Sequence, residues 1–308
     1  MKETKINEIK KVSRSKSKKH ARRKHWWIVA VPIVIIGLAG TYAVRTNVIN
    51  LPDNIKALPQ KVLKATPLKS TSQKFTTISG EKVTLKTTTL GKTFLISDTT
   101  KKKLTGLQTI GKKEYYFSPQ TGEMVYGLKK IDGYYYYFDK NGVNNSVTAY
   151  KKIAASVKSD NETIEKVISG GMTLVGKSPY SYGGGRTDSS VAKNEFDCSS
   201  FIAWFYRKAG LPLVVQSAAS TTLLAQTGTE VEWSNMQRGD VLVTPNTYTE
   251  DRLHAAIYLG NGFILHDSSP TNGVAISRLN ELVNYKTSKT LTWADLLKPG
   301  TVRRETSE

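Results

Sequence analysis

His254-Ala255-Ala256-Ile257-Tyr258-Leu259-Gly260-Asn261-Gly262-Phe263-Ile264-Leu265-His266 is the stretch on which the fold of the C-terminal half turns. Two apolar runs meet at a Gly-Asn-Gly turn, the mark of a β-hairpin. Residues opposed across a hairpin have a constant sum of numbers. A turn centred on Gly260 gives 520, which is the sum of 254 and 266. Any register near this one sets the two histidines on neighbouring strands, opposed or diagonal, within ~5–8 Å. One imidazole can then hydrogen-bond the other. The only other histidines, His20 and His25, lie in a basic leader.

The single cysteine lies in Phe196-Asp197-Cys198-Ser199-Ser200-Phe201. It opens a predicted helix that runs through Phe201, Ile202, Phe205 and Ala209 and stops at Gly210 and Pro212. First-turn N–H groups and the helix dipole favour a thiolate there, as would a nearby imidazolium. A nucleophilic thiol needs a base in contact and a third group to orient that base. Cys198, His254 and His266 fit those roles in that order, with backbone N–H groups at the helix start for an oxyanion. The same residue types also suit a buried core cysteine beside structural histidines, or an open zinc site.

Working outward, Ile164, Val167, Ile168, Met172 and Val175 recur at helical spacing, which predicts an amphipathic helix over Asn161–Val175. A further short helix is predicted near 217–227. Strands are predicted at Val241–Val243, Ala255–Leu259, Phe263–Leu265 and Val274–Ile276. Helices first and antiparallel strands later is an α+β pattern.

Taken in order, Pro179-Tyr180-Ser181-Tyr182-Gly183-Gly184, Phe196-Asp197-Cys198-Ser199, Arg238-Gly239-Asp240-Val241, His254 through Gly260, and His266 resemble the NlpC/p60 family, papain-like endopeptidases of bacterial cell walls. The resemblance covers about residues 160–300. It implies a nucleophile at Cys198, a base at His254 and a third polar residue at His266. It also implies substrate-binding or orienting roles for Tyr180, Asp197 and Ser199. The implied reaction is cleavage of peptidoglycan stem peptides between D-glutamate and the diamino acid, with no metal or organic cofactor. Several positions depart from the family pattern. Tyr182 stands for tryptophan, Ser200 for glycine, Arg238 for proline and Ala255-Ala256 for Val-Gly, and the loop between Gly184 and Phe196 is longer.

The N-terminal half has a different grammar. Residues 1–25 hold eleven Lys/Arg against two Glu, and Trp26–Val44 follows with nineteen uncharged residues. A basic flank before such a run predicts a cytoplasmic leader, a transmembrane signal anchor over 26–44 and export of the remainder. If the signal is cleaved, after Ala43, the chain is secreted instead. One cysteine cannot form an internal disulfide, and an exported cysteine-poor chain suggests a Gram-positive envelope. Beyond the leader, 34 Lys/Arg face 23 Asp/Glu. That surplus suggests anionic wall polymers or a lipid surface as partner, while an exported chain is not expected to meet nucleic acid. Residues 45–75, rich in Lys, Thr and Pro, read as a spacer.

A repeat occupies 76–148. Gly106-Leu107, Ile110, Tyr115-Tyr116-Phe117 and Gly122 recur 21 residues later as Gly127-Leu128, Ile131 and Tyr136-Tyr137-Phe138, and 20 later as Gly142, with a fainter copy at Phe94-Leu95-Ile96. Each unit predicts a short hairpin that must stack on a neighbour. These residues resemble choline- and glucan-binding cell-wall repeats, which implies wall carbohydrate or polymer contact through 90–145. Leu107 and Leu128 replace the tryptophan of the family's aromatic cage, which argues against choline. The chain therefore reads as a membrane-anchored peptidoglycan hydrolase with a C-terminal domain over 150–308. Its rivals are a CHAP-type amidase or endopeptidase, and a catalytically silent wall-binding protein whose cleft is blocked by the long loop.

Overall fold

The computed structural model describes residues 69–283 and 290–306. The predicted leader, the anchor over 26–44 and most of the spacer lie outside these residues. Among the described residues no helix is long and apolar enough to cross a membrane.

Strands β1 (Thr71–Thr76), β2 (Lys82–Thr87), β3 (Thr93–Ser97) and β4 (Lys103–Leu104) form an antiparallel sheet in chain order. The spacer predicted to run to residue 75 therefore ends earlier. Phe75 pairs with Val83 and packs against the cluster that holds Val83 and Leu95. Two hairpins follow, β5 (Gly106–Ile110) with β6 (Lys113–Phe117), and β7 (Gly127–Ile131) with β8 (Tyr134–Phe138). Their registers repeat at the predicted offset, Gly106 opposite Phe117 and Gly127 opposite Phe138. The faint third copy falls on β3. Neither hairpin buries its face alone: Leu107 and Tyr116 of the first pack on Ile131, Tyr136 and Phe138 of the second. Gly142 closes the last turn at φ +75°, where a Cβ would also collide with the Met124 side chain.

Helix α1 (Ser146–Ile153) is capped by Asn145, which accepts from the Thr148 amide at 2.8 Å. The boundary predicted at 148–150 thus falls inside a helix that joins the two halves. Tyr134, Tyr135 and Tyr137 of β8 pack on the cores of the C-terminal domain, and at the same joint lies Arg278, whose side chain is fully buried. Its guanidinium donates to Glu114 Oε2 of β6 at 2.6 Å and to Ser146 Oγ at 2.8 Å. It also lies 3.9 Å from the ring centroid of Tyr136, whose hydroxyl accepts from Asn280 Nδ2 at 2.7 Å. The repeats are docked on the C-terminal domain rather than strung from it.

In that domain α2 (Glu162–Met172) buries Ile164, Val167 and Ile168 as the spacing requires. It ends before the predicted Val175, because the amides of Thr173 to Val175 tighten into i→i+3 bonds after Gly170-Gly171. Helices α3 (Asp188–Ala192), α4 (Cys198–Lys208) and α5 (Thr221–Leu224) follow. The strands are β9 (Thr229–Val231), β10 (Val241–Val243), β11 (Ala255–Gly260), β12 (Phe263–Ser268) and β13 (Gly273–Arg278). Helix α6 (Trp293–Leu297) and β14 (Thr301–Arg304) complete the described chain. The six strands form one antiparallel sheet in the order β13-β12-β11-β10-β14-β9. One face (Ala255, Ile257, Leu265) packs on α2 and α4 through Phe201 and Phe205. The other (Leu242, Ala256, Ile264) packs on Trp293, Leu296 and Leu297 of α6. The fold is α+β as predicted, with β9 and β14 as strands that sequence periodicity did not disclose.

The hairpin register differs from the predicted one by two. Ile257 opposes Leu265 and Tyr258 opposes Ile264, with a bulge before Gly260. The turn residues are Asn261 and Gly262, both at positive φ as a type I′ turn demands. His254 and His266 are consequently diagonal neighbours.

Replacing Arg278 by alanine leaves Glu114 and Glu281 without their counter-charge in a largely closed interface. The expected loss is about 3 kcal/mol of stability, measured as the shift in the urea midpoint of the purified chain.

Candidate active site

Helix α4 begins where Asp197 caps it. Asp197 Oδ1 accepts from the Ser200 amide at 2.9 Å, and Ser200 Oγ accepts from the Asp197 amide at 3.0 Å. This reciprocal cap places Cys198 at the first helical position. The cysteine is 7% exposed, and the amides of Ser199 and Ala255 donate to its sulfur. Ala255 directly follows His254, so the β11 backbone meets the nucleophile beside the expected base.

His254 Nε2 and His266 Nδ1 are 3.0 Å apart, and His266 Nε2 lies 3.1 Å from Ser277 Oγ on β13. The Trp293 ring covers both imidazoles, with centroids 5.0 Å from His254 and 4.4 Å from His266. A direct contact of this length leaves no place for an ion between the two nitrogens. Among the described residues no three His, Cys, Asp or Glu side chains are disposed around a metal position.

Burial sets the protonation states. It pushes the Cys198 thiol up to about 12, with the Asp197 carboxylate the next contributor. It lowers His254 to about 3 and holds His266 well below its ordinary value, with His254 adding to the effect. The predicted thiolate is therefore not the resting form, because the acidic cap and the closed surroundings outweigh the helix start. Burial thus disfavours the charged form of the thiol and of both imidazoles.

Asp197 and Ser199 are inward-facing. Asp197 Oδ2 accepts from Arg186 Nη1 at 2.5 Å and from the Gly183 amide at 3.2 Å. Ser199 Oγ donates to Asp197 Oδ1 at 3.0 Å and accepts from Arg186 Nη2 at 3.2 Å. Both side chains orient the helix start. The long loop between Gly184 and Phe196 supplies Arg186 and α3. Tyr180 lines a cleft of about 410 Å³ together with Tyr182, Glu250, His254 and Ser268. Tyr182 is largely exposed, and its hydroxyl donates to Glu250.

Four participants escaped the sequence reading. Arg186 stood in an unassigned loop. Ser277 was one polar residue in an apolar strand, and Trp293 carried no local signal. Asp267, beside His266, alternates to the face of Leu265 and so looks toward the first turn of α4. It is fully buried, and neither carboxylate oxygen has a hydrogen-bond partner. Burial, reinforced by Asp197, pushes it up to about 8.

Residues 176–292 match the NlpC/P60 family, and residues 104–143 match the choline-binding repeat. A peptidoglycan DL-endopeptidase, CwlO, of Bacillus licheniformis is 43% identical over 124 residues, which are 40% of this chain and 26% of that protein. A probable endopeptidase of Mycobacterium tuberculosis is 38% identical over 110 residues, 36% of this chain and 24% of that one. The chain thus spans about a quarter of the length of these curated relatives. Among solved structures, the peptidoglycan hydrolase RipB of M. tuberculosis is 22% identical with a TM-score of 0.36, covering 51% of this chain and 72% of that one.

The two kinds of buried group give opposite pH slopes. A histidine depressed in the fold gains a proton on unfolding below its ordinary value, so stability falls as pH drops from about 6.5 toward 3. A carboxyl raised in the fold loses its proton on unfolding, so Asp267 costs stability as pH rises from about 4 to about 8. Urea unfolding at a series of pH values is expected to show Asp267→Asn matching the parent at pH 4 and exceeding it at pH 8.5.

Proposed function

We propose that the NlpC/P60 domain of this chain is a cysteine peptidase that hydrolyses amide bonds of peptidoglycan stem peptides. The observation that carries this reading is the run of contacts His254–His266–Ser277. If His266 Nε2 donates to Ser277 Oγ, neutral His266 must accept at Nδ1. His254 Nε2 must then be the donor, which leaves His254 Nδ1 as an acceptor for the thiol proton. With Ser277 as the acceptor, the tautomer of the base is set through His266.

Because the resting groups are neutral, proton transfer and attack are coupled. Cys198 Sγ adds to the scissile carbonyl as its proton passes to His254. The imidazolium that forms is stabilised by donation to His266. Amides at the start of α4 face the developing oxyanion. His254 returns the proton to the leaving amine, and water then cleaves the thioester with His254 again as base. The aromatic and acidic cleft of Tyr180, Tyr182 and Glu250 suits a peptide that bears a free ammonium. The bond proposed is the one between D-glutamate and the diamino acid, a reading supported by the name of the 43% identical relative.

The predicted anchor over 26–44 would hold the domain on the outer side of the membrane. Action on the chain's own envelope needs no partner beyond peptidoglycan.

The test is incubation of the purified chain with peptidoglycan and mass analysis of the released fragments. Cys198→Ala and His254→Ala are each expected to lower the rate by about 10⁴-fold or more. Ser277→Ala is expected to lower kcat by about ten- to a hundredfold with little change in KM. Fragments released equally by Cys198→Ala, or none from the parent on any wall type, would sink the reading.

A further inference from the structure

Positive charge is unevenly shared between the two modules. Residues 69–148 carry thirteen lysines against six acidic residues, whereas 149–308 carry seventeen Lys/Arg against sixteen acidic residues. The surplus belongs to the repeats, and the domain that would cut the wall is nearly neutral. An anionic partner should therefore be sought on the repeat side.

The seam between the modules holds a second cleft of about 410 Å³. Its repeat wall carries Lys112 and Lys113 from the tip of the β5–β6 hairpin, with Asn144 and Asn145 beyond them. Both lysines are exposed, and neither forms an ion pair among the described residues. The carboxylates on the lining, Glu114 and Glu281, are both engaged by buried Arg278. The free charge offered to a ligand is thus positive. The Thr109 hydroxyl lies on the same lining, whereas Asn144 Nδ2, Asn145 Oδ1 and Thr271 Oγ1 bond within the fold.

Two further features locate this cleft. Pro270 lines both it and the catalytic cleft, so the two are neighbours across one loop. Ser277 and Trp293, which contact His266, lie on its far wall.

We propose that this inter-module cleft binds an oxyanion-bearing wall polymer, a phosphodiester or polycarboxylate chain, through Lys112 and Lys113. The repeats then recognise the charged backbone of a wall polymer and not a quaternary amine, in keeping with Leu107 and Leu128 at the cage positions. Binding here is separate from the amide chemistry, so the test uses a chain that cannot turn over.

The full Cys198→Ala chain, in detergent, is titrated with oligo(glycerol phosphate) and with poly-glutamate of matched charge at low and physiological salt. At least one polymer is expected to bind, and which one identifies the source of the oxyanion. Lys112→Glu with Lys113→Glu is expected to weaken binding at least tenfold. Lys129→Glu with Lys130→Glu makes the same change of charge on the next hairpin, outside the cleft, and should weaken it less than threefold. Equal losses from the two pairs would reduce the effect to diffuse attraction and overturn the site. Failure of both polymers to bind the parent at low salt would overturn it as well. Neither result bears on the peptidase reading, because no catalysis is measured.

Discussion

The 3.0 Å contact between His254 Nε2 and His266 Nδ1 exists only while the two rings are not both doubly protonated, since two imidazolium groups cannot share a hydrogen bond. Burial enforces that condition and the surrounding structure serves it. The β11–β12 hairpin sets the rings diagonally, Trp293 closes them from water, and Ser277 on the third strand fixes the outer nitrogen. Cys198 is delivered to the same place by an N-cap that is itself pinned by Arg186. Five separate stretches of chain converge on one neutral, dry cluster. Under the proposed chemistry, reactivity comes from relay and geometry rather than from a preformed ion pair.

Local pattern was enough to read the framework of this site. A Gly-Asn-Gly turn between apolar runs is a strong hairpin signal, and Asp-Cys-Ser before an apolar stripe is a strong helix start, so the placement of Cys198 at a helix start and of His254 and His266 on one hairpin was legible. The register was missed by two because the sequence does not mark Gly260 as a bulge. The thiolate was misjudged because burial is a property of the assembled fold. Ser277, Trp293 and Asp267 lie on later elements and acquire meaning only through tertiary contact. The repeat was legible in its period, while its docking was not, because Arg278 sits 164 residues from Glu114.

That docking changes how the repeats should be regarded. A buried guanidinium between Glu114, Ser146 and Tyr136 removes the freedom expected of modules joined by a linker. Arg278 is also the next residue after Ser277, so the clamp on the repeats and the outer hydrogen bond of the histidine pair share one strand end. The seam is a mechanical part of the domain that carries the nucleophile.

The buried thiol has a consequence for durability. Peroxides and alkylating agents react with the thiolate, and susceptibility follows both thiolate fraction and exposure. A sulfur held protonated and 7% exposed presents little of either. A thiol kept this way is spared oxidation and alkylation until a ligand or a local opening exposes it.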